Sequence, residues 1–317
     1  MLLQALVLGY GQFRNTTQKC LESLIPEANK LNIPIYLLDN GSPDDSAELQ
    51  KVFSENHPII YSKVSSKNLG FAGGMNFLAN DLDAKWLLLI GSDTIFFPGA
   101  LQKIYDSLFH IPNSVGIVGP VTNSAGTSQC LHFLGDKLEI VFNQAKDYFV
   151  IPTNLYIPLY RADFFCVAIR KSLWDRLEGL DLSYGLGYYE DFDFSMRAKR
   201  IGYQSCLLED ALVFHQGSAS FSEKKQRSKL LRKNKKIFIN RFPEAQLRHV
   251  REDSFQTVEY LIEKAYSLLN KEAIMLRIDL RIKSLKMDLP KGWIKRWIWQ
   301  KKIRNLEAKR QKIQPED

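Results

Sequence analysis

The apolar positions change period as the chain proceeds. Leu2–Leu8 is a short, continuous apolar run, the pattern of a strand buried on both faces, and it ends at Gly9-Tyr10-Gly11. From Thr16 to Leu31 the spacing turns helical, with Cys20, Leu21, Leu24, Ile25, Ala28 and Leu31 on one stripe. Ile33–Leu38 reads as a second buried strand, closed by Asp39-Asn40-Gly41. Ser42-Pro43-Asp44-Asp45 then predicts a helix start, with a Ser cap, Pro at the first position and acids in the first turn. Ile59–Ser62, Trp86–Ile90 and Val115–Val118 predict three more strands, and Pro98 opens another helix. Residues 119–160 lose the alternation, as an insertion or a set of hairpins would. Phe164–Arg170 returns to strand character and Lys171–Leu177 to a short helix.

Strands alternating with helices across short turns imply βαβ units. The expected class is α/β, a mostly parallel central sheet with helices on both faces. Ligands of such sheets sit beyond the carboxyl ends of the strands, and here those ends carry Tyr10, Asp39 and Asp93. Further on, Glu223–Arg241 predicts a strongly basic helix, and residues 254–288 keep helical spacing without Gly or Pro. Pro290-Lys291-Gly292 breaks them from a Trp-rich segment. There is no internal repeat.

Charge changes this picture only at the tail. The net charge is +8, but residues 223–317 hold 26 Lys+Arg against 12 Asp+Glu, leaving residues 1–222 at −6. A basic partner surface is therefore expected in the tail. The four cysteines lack any metal-type spacing and read as buried thiols of a reducing compartment. The apolar opening has no basic flank and is too short to span a bilayer, so a cytoplasmic location is expected.

The densest chemistry lies in Gly185–Ser220, which holds Glu190, Asp191 and Asp193 at a helix start and His215 at the end of an apolar strand. Acids there complement a helix dipole, and one of them facing a pocket would serve as a general base. Asp193 and Arg197 are spaced for an i,i+4 ion pair, and Glu190 shares their face. Asp191 points about 100° away and is the acid without those partners, hence the candidate base. His215 becomes a metal-ligand candidate if a carboxylate such as Asp93 lies beside it; otherwise it is a packed edge histidine. Asp93 could hold a divalent cation through oxygen, or form a turn. Asn68 and Asn76 flank a loop with Gly70, Gly73 and Gly74, where a backbone can approach a ligand and the amides suit sugar hydroxyls. Gly9-Tyr10-Gly11 with Asp39 half-matches a dinucleotide fingerprint, but Arg14 replaces the third glycine, which disfavours an NAD(P) oxidoreductase.

LLDNGSPDDS (37–46), NLGFAGGMN (68–76), YYEDFDFSMRAKRIGY (188–203) and Ala211–Ser218 together resemble a family 2 glycosyltransferase of the nucleotide-sugar-binding GT-A fold, of the bacterial polysaccharide, rhamnosyltransferase-like kind. The resemblance covers about Leu2 to Ser220. It implies a catalytic domain over residues 1–222, with a nucleotide-binding half (1–118) and an acceptor half (119–222), and a basic helical extension over 223–317. It further implies that Asp39 contacts the donor's base and that Tyr10, Asn68, Gly70, Gly73, Asn76 and Ser92 shape the donor pocket. Asp93 would bind Mg²⁺ or Mn²⁺ at the diphosphate, with His215 as a further ligand. Asp191 would be the base, supported by Glu190. Gly91 stands where the family usually has a polar residue, which keeps an inactive, transferase-like scaffold as an alternative.

The implied reaction moves a sugar from a nucleotide-sugar to a glycan or lipid-linked acceptor, with inversion, in surface-polysaccharide assembly. In the tail, Trp293, Ile294, Trp297 and Ile298 share one helical face, interleaved with Lys295, Arg296, Lys301 and Lys302. Residues 291–304 so patterned suit an anionic membrane surface, and packing on the body or in a homodimer is the other reading. No nucleic-acid module accompanies the charge.

Overall fold

The computed structural model describes residues 1–217, 224–266 and 270–313. Four strands run parallel along one half of its sheet: β1 (Leu3–Gly9), β2 (Ile35–Asp39), β3 (Ile60–Val64) and β4 (Trp86–Gly91). Their order is β3-β2-β1-β4, with Gly9 opposite Asp39 and Leu8 opposite Gly91, so three strand ends finish in a row. The crossovers are α1 (Thr17–Leu31), α2 (Ser46–Glu55) and α3 (Gly70–Ala79). The α1 stripe from Cys20 to Ala28 is buried as its spacing requires.

One helix start differs from expectation. Helix α2 begins at Ser46, so Ser42 and Pro43 are not its cap and first turn. The turn after β1 leaves outward N–H groups that need acceptors. Gly11 donates to Ser42 Oγ (2.7 Å), Gln12 to Asp44 (2.8 Å) and Phe13 to Ser46 Oγ (3.1 Å). The Ser/Asp-rich segment thus straps two strand-end loops together.

Beyond β4 the directions mix. β8 (Cys166–Arg170) lies antiparallel between β4 and β6 (Val115–Val121). β9 (Gln204–His215) runs parallel to β6, while β5 (Thr94–Phe96) and β7 (Tyr156–Leu159) pair with it antiparallel. A continuous apolar run fits either direction, so periodicity carried no sign of this reversal. Helices α4 (Ala100–His110), α6 (Lys171–Arg176) and α7 (Glu190–Arg200) fall near their expected places. Within residues 119–160 an unexpected helix, α5 (Leu138–Ala145), buries Val141 and Ala145.

The tail forms α8 (Lys224–Arg241), α9 (Val250–Ala265), α10 (Lys271–Met287) and α11 (Trp293–Gln311). The helical stretch read over 254–288 is therefore two helices. The boundary expected at 222/223, the start expected at Glu223, and Ser218–Ser220 lie outside the described residues. Helices α9 to α11 share an apolar cluster with the sheet, in which Val258, Leu261 and Ile278 meet Leu207, Leu212 and Phe214. Two buried ion pairs add to that seam. Arg281 grips Glu209 of β9 through two bonds (2.8 and 2.6 Å), and Arg277 lies 3.5 Å from Asp210. Removing one member would strand its partner's charge in the core, so these pairs fix how α10 seats on β9. All four cysteines are buried and free.

Candidate active site

The strand ends of β1, β2 and β4 place Tyr10, Asp39 and the Ser92-Asp93 pair along one edge, as the parallel register demands. Asp39 is buried and accepts hydrogen bonds from the Ser42 N–H (3.0 Å) and the Ser42 hydroxyl. Its neighbour Asn40, which sequence reasoning passed over, joins this loop to the next. Its amide donates to Asn68 Oδ1 (3.2 Å) and to the Gly70 carbonyl (3.2 Å), and its oxygen accepts from the Leu69 N–H (3.0 Å). Ser92 donates its N–H to the Leu8 carbonyl (3.3 Å), which holds the Gly91–Asp93 turn on β1.

The Gly/Asn loop serves chain packing more than sequence suggested. Asn68 accepts from the Gly70 N–H (2.8 Å), closing its own turn. Gly70 has φ +72°, and a Cβ there would sit 2.3 Å from the Gly185 carbonyl oxygen. Only glycine allows that approach. Gly73 faces Leu69 within its own helix. Asn76 spends both ends of its amide on Leu180, donating to its carbonyl (2.8 Å) and accepting from its N–H (2.9 Å). Asn76 thereby docks α3 against the segment that leads to α7.

Asp93 and His215 do come together. Thr94 pairs with His215 in the β5–β9 ladder, and His215 Nε2 lies 3.3 Å from Asp93 Oδ2. Phe165 stacks on the imidazole at 5.3 Å. The ring's Nδ1 meets the Ser124 carbonyl at 2.8 Å, a contact that requires a proton on Nδ1. A neutral imidazole then turns the Nε2 lone pair toward a carboxylate oxygen. Two acceptors facing each other are satisfied by an imidazolium or by a cation held between them. Burial opposes the charged ring, but the hydrogen bond and charge of Asp93 outweigh it and raise the His215 pKa. This donor set fits a divalent cation that takes its other ligands from elsewhere, since no group of three or more His, Cys, Asp or Glu forms a metal cluster among the described residues. A Cβ on Gly91 would lie 3.1 Å from Asp93 Oδ1, so the glycine leaves room for the carboxylate's present orientation.

The acidic cluster separates into three environments. Asp193 is fully buried and receives Arg197 (2.5 Å), Arg241 (2.9 Å) and the Tyr184 hydroxyl (3.0 Å), the structural role its spacing implied. Glu190 is also buried, and its Oε2 has no hydrogen-bond partner. It is therefore no solvated first-turn acid. Burial, then the charge of Asp191, raise its pKa and hold it protonated.

Asp191 is not free of partners, which corrects the premise on which it was singled out. Arg161 Nη1 lies 3.6 Å from its Oδ2, and its Oδ1 accepts from the Phe192 N–H (2.8 Å). Burial raises its pKa while Arg161 pulls it back. Of two adjacent carboxyls, the one beside the guanidinium is the one that ionises.

Three residues essential to this geometry went unnoticed in the sequence. Arg161 sits 3.4 Å over the Phe192 ring and ion-pairs with Asp163. Arg161 thus bridges two carboxylates, Asp163 and Asp191. Asn234 of α8 is buried and donates to the carbonyls of Tyr184 (2.7 Å), Gly187 (2.8 Å) and Tyr188 (3.0 Å). It pins the loop entering α7, where Tyr188 (φ +69°) and Tyr189 (φ +79°) are both left-handed. Such strain persists only where surrounding structure enforces it. Arg161-Ala162-Asp163 was an available signal, a charged pair just before an apolar strand.

The comparisons agree with this architecture. The profile of glycosyl transferase family 2 matches residues 10–177, more than half the chain, and the chain belongs to that family. A curated relative, the glycosyltransferase GlyA of Streptococcus pneumoniae serotype 4, is 29% identical over 145 residues. That match covers 45% of this chain but only 20% of the relative, so the two share one region of a much longer protein. The fold is that of GT-A glycosyltransferases. The mannosyltransferase PcManGT of Pyrobaculum calidifontis, solved with GDP-Man and Mn²⁺, superposes with a TM-score of 0.52 at 12% identity, over 99% of this chain and 88% of its own. S. aureus TarS 1–349, solved with UDP-GlcNAc, gives 0.50 at 13% identity, over 98% and 91%.

Proposed function

We propose that the chain transfers a sugar from a nucleotide-sugar to a hydroxyl of a glycan or lipid-linked acceptor, with inversion at the anomeric carbon. The observation that carries this is the Asp93–His215 pair at the strand ends, with Asp191 held beside Arg161 at the start of α7. In this reading the donor's base lies by Tyr10 and Asp39, with Asn68, Gly70, Gly73 and Ser92 shaping the loops around it. Asp93 and His215 hold Mg²⁺ or Mn²⁺. The cation, when bound, supplies positive charge against the departing diphosphate. Asp191 takes the acceptor hydroxyl's proton as that oxygen bonds to the anomeric carbon and the bond from that carbon to the diphosphate oxygen breaks. Glu190, kept neutral, adds no second negative charge beside the base.

Residues 1–222 carry this chemistry, and 223–317 brace it. Surface-polysaccharide assembly in the cytoplasm suits the reaction class. Among the described residues no helix is long and apolar enough to cross a membrane. Trp293 (80% exposed), Ile294 (54%), Trp297 (56%) and Ile298 (43%) nevertheless stand out from α11 beside Lys295, Arg296 and Lys301. Apolar side chains among basic ones match an anionic lipid surface at the inner face of the cell membrane. A second copy docked there would set like charges against each other.

A panel of nucleotide-sugars and nucleoside diphosphates, screened by thermal shift with and without Mn²⁺, tests the transferase reading. A rise in melting temperature for at least one donor, larger with Mn²⁺, is expected. No shift with any of them overturns it.

A further inference from the structure

Three cavities of about 280, 290 and 430 Å³ meet at one side chain, Arg248. Tyr160 lines the first two, Gln246 the first and third, and Gln256 the second and third. Together they make a furrow built from β7, α7 (through Met196, Lys199 and Arg200), the α8–α9 connection, α9 and α11, apart from the strand ends that carry Asp39 and Asp93. Each cavity is near the small end of ligand pockets, and the side chains they share make them neighbours around Arg248.

The furrow's hub is held in place before any ligand arrives. Arg248 donates to Gln256 (2.7 Å) and twice to Gln246 (3.0 and 2.7 Å), and its guanidinium lies 5.2 Å over the Tyr160 ring. The Tyr160 hydroxyl in turn accepts from the Gln246 N–H (2.7 Å). Beyond the hub the walls offer flat aromatic rings, Tyr260 at one end and Trp299 against Phe255 at the other. Planar amide and guanidinium groups beside aromatic faces are the lining that a sugar's hydroxyls and C–H faces require.

One end of the furrow comes near the candidate base through the chain itself: Tyr160, which lines the 280 and 290 Å³ cavities, directly precedes Arg161, whose Nη1 lies 3.6 Å from Asp191 Oδ2. Asp253 lines the 290 Å³ cavity and is half-buried, and its carboxyl has no hydrogen-bond or ion-pair partner among the described residues. Burial raises its pKa, opposed by the charges of Arg161 and of the hub's own Arg248. A half-buried carboxylate lining a cavity is hydrated there, and a sugar hydroxyl can take the place of that water as donor.

We propose that this furrow is the acceptor site, and that it binds a saccharide chain longer than one unit, with Asp253 at the end nearest the attacking hydroxyl. The inference rests on the transferase reading and adds to it the class of acceptor and the part α9 plays. Tail helices usually read as a brace; here α9 supplies a wall of the site.

Binding is measured on an array of defined oligosaccharides of one to six sugars, and separately to UDP and GDP with Mn²⁺ by calorimetry. The wild type is expected to retain at least one oligosaccharide more strongly than its monosaccharide. Arg248→Ala and Gln256→Ala should each weaken that retention by about tenfold or more and leave nucleotide affinity unchanged. Gln256 is exposed, so its variant decides if Arg248→Ala does not fold. A wild type that retains no oligosaccharide, or retention undiminished in the folded variants, overturns the proposal. Saccharide retention with no nucleotide binding would instead overturn the transferase reading and leave the furrow as a saccharide site.

Discussion

His215 Nε2 lies 3.3 Å from Asp93 Oδ2, at the far end of a strand that folds back beside the turn carrying the aspartate. Because Nδ1 is committed to the Ser124 carbonyl, Nε2 is the ring atom available to a cation. His215→Ala and Asp93→Ala should each weaken Mn²⁺-dependent nucleotide binding by at least the ~10–100-fold typical of losing even an outer-shell partner. Calorimetry with GDP or UDP, with and without Mn²⁺, reads this directly. An unchanged metal dependence in both variants would remove the pair from the metal site.

Asp191→Asn keeps the shape of the side chain and loses the proton acceptor. Donor binding should persist while transfer falls by about 10²–10⁴-fold. Normal turnover would sink the assignment.

The pH dependence of transfer gives a second check on the same residue. Burial raises the Asp191 pKa, so the acid limb of the rate profile should lie above that of an ordinary aspartate, near pH ~3.9. Arg161 lowers that pKa, and Arg161→Ala should therefore move the limb to higher pH. A limb that stays in place would show that Asp191 does not set it.

Glu190 binds a proton in the folded state that it releases on unfolding. A carboxyl raised in this way favours the fold most at low pH. Stability should decline as pH rises from the ordinary glutamate value, ~4.3, through the raised one. Glu190→Gln removes the titrating group and should flatten that decline, with transfer largely retained. Denaturant melts between pH 5 and 9 test it; parallel pH curves for the two proteins would contradict the assignment.

The exposed face of α11 predicts co-flotation with vesicles containing anionic phosphatidylglycerol and little with neutral phosphatidylcholine. Trp293→Ser with Trp297→Ser should abolish flotation and leave the melting temperature within a few degrees, since both side chains are exposed. Equal flotation of wild type and variant would dismiss the membrane reading.

The sequence alone determined the class of the fold, because period is local. The runs of β1, β2 and β4, the α1 stripe, and the Gly and Asp residues at strand ends each report on their own segment. The Asp193–Arg197 pair was legible for the same reason: an i,i+4 spacing is its own geometry. The Asp93–His215 meeting could be posed as a question, but only the β5–β9 register answered it.

Tertiary structure alone decided the environments of the two adjacent acids. Glu190 and Asp191 are neighbours with the same chemistry, and their roles diverge through burial and through Arg161, which arrives from another part of the chain. Asn76 holds Leu180 by both ends of its amide, a contact 104 residues away that its own segment does not announce. Asn234 looked like one polar residue in a basic helix until it was found holding the α7 entry. Burial and long-range partners depend on how distant segments pack, and no local pattern encodes them.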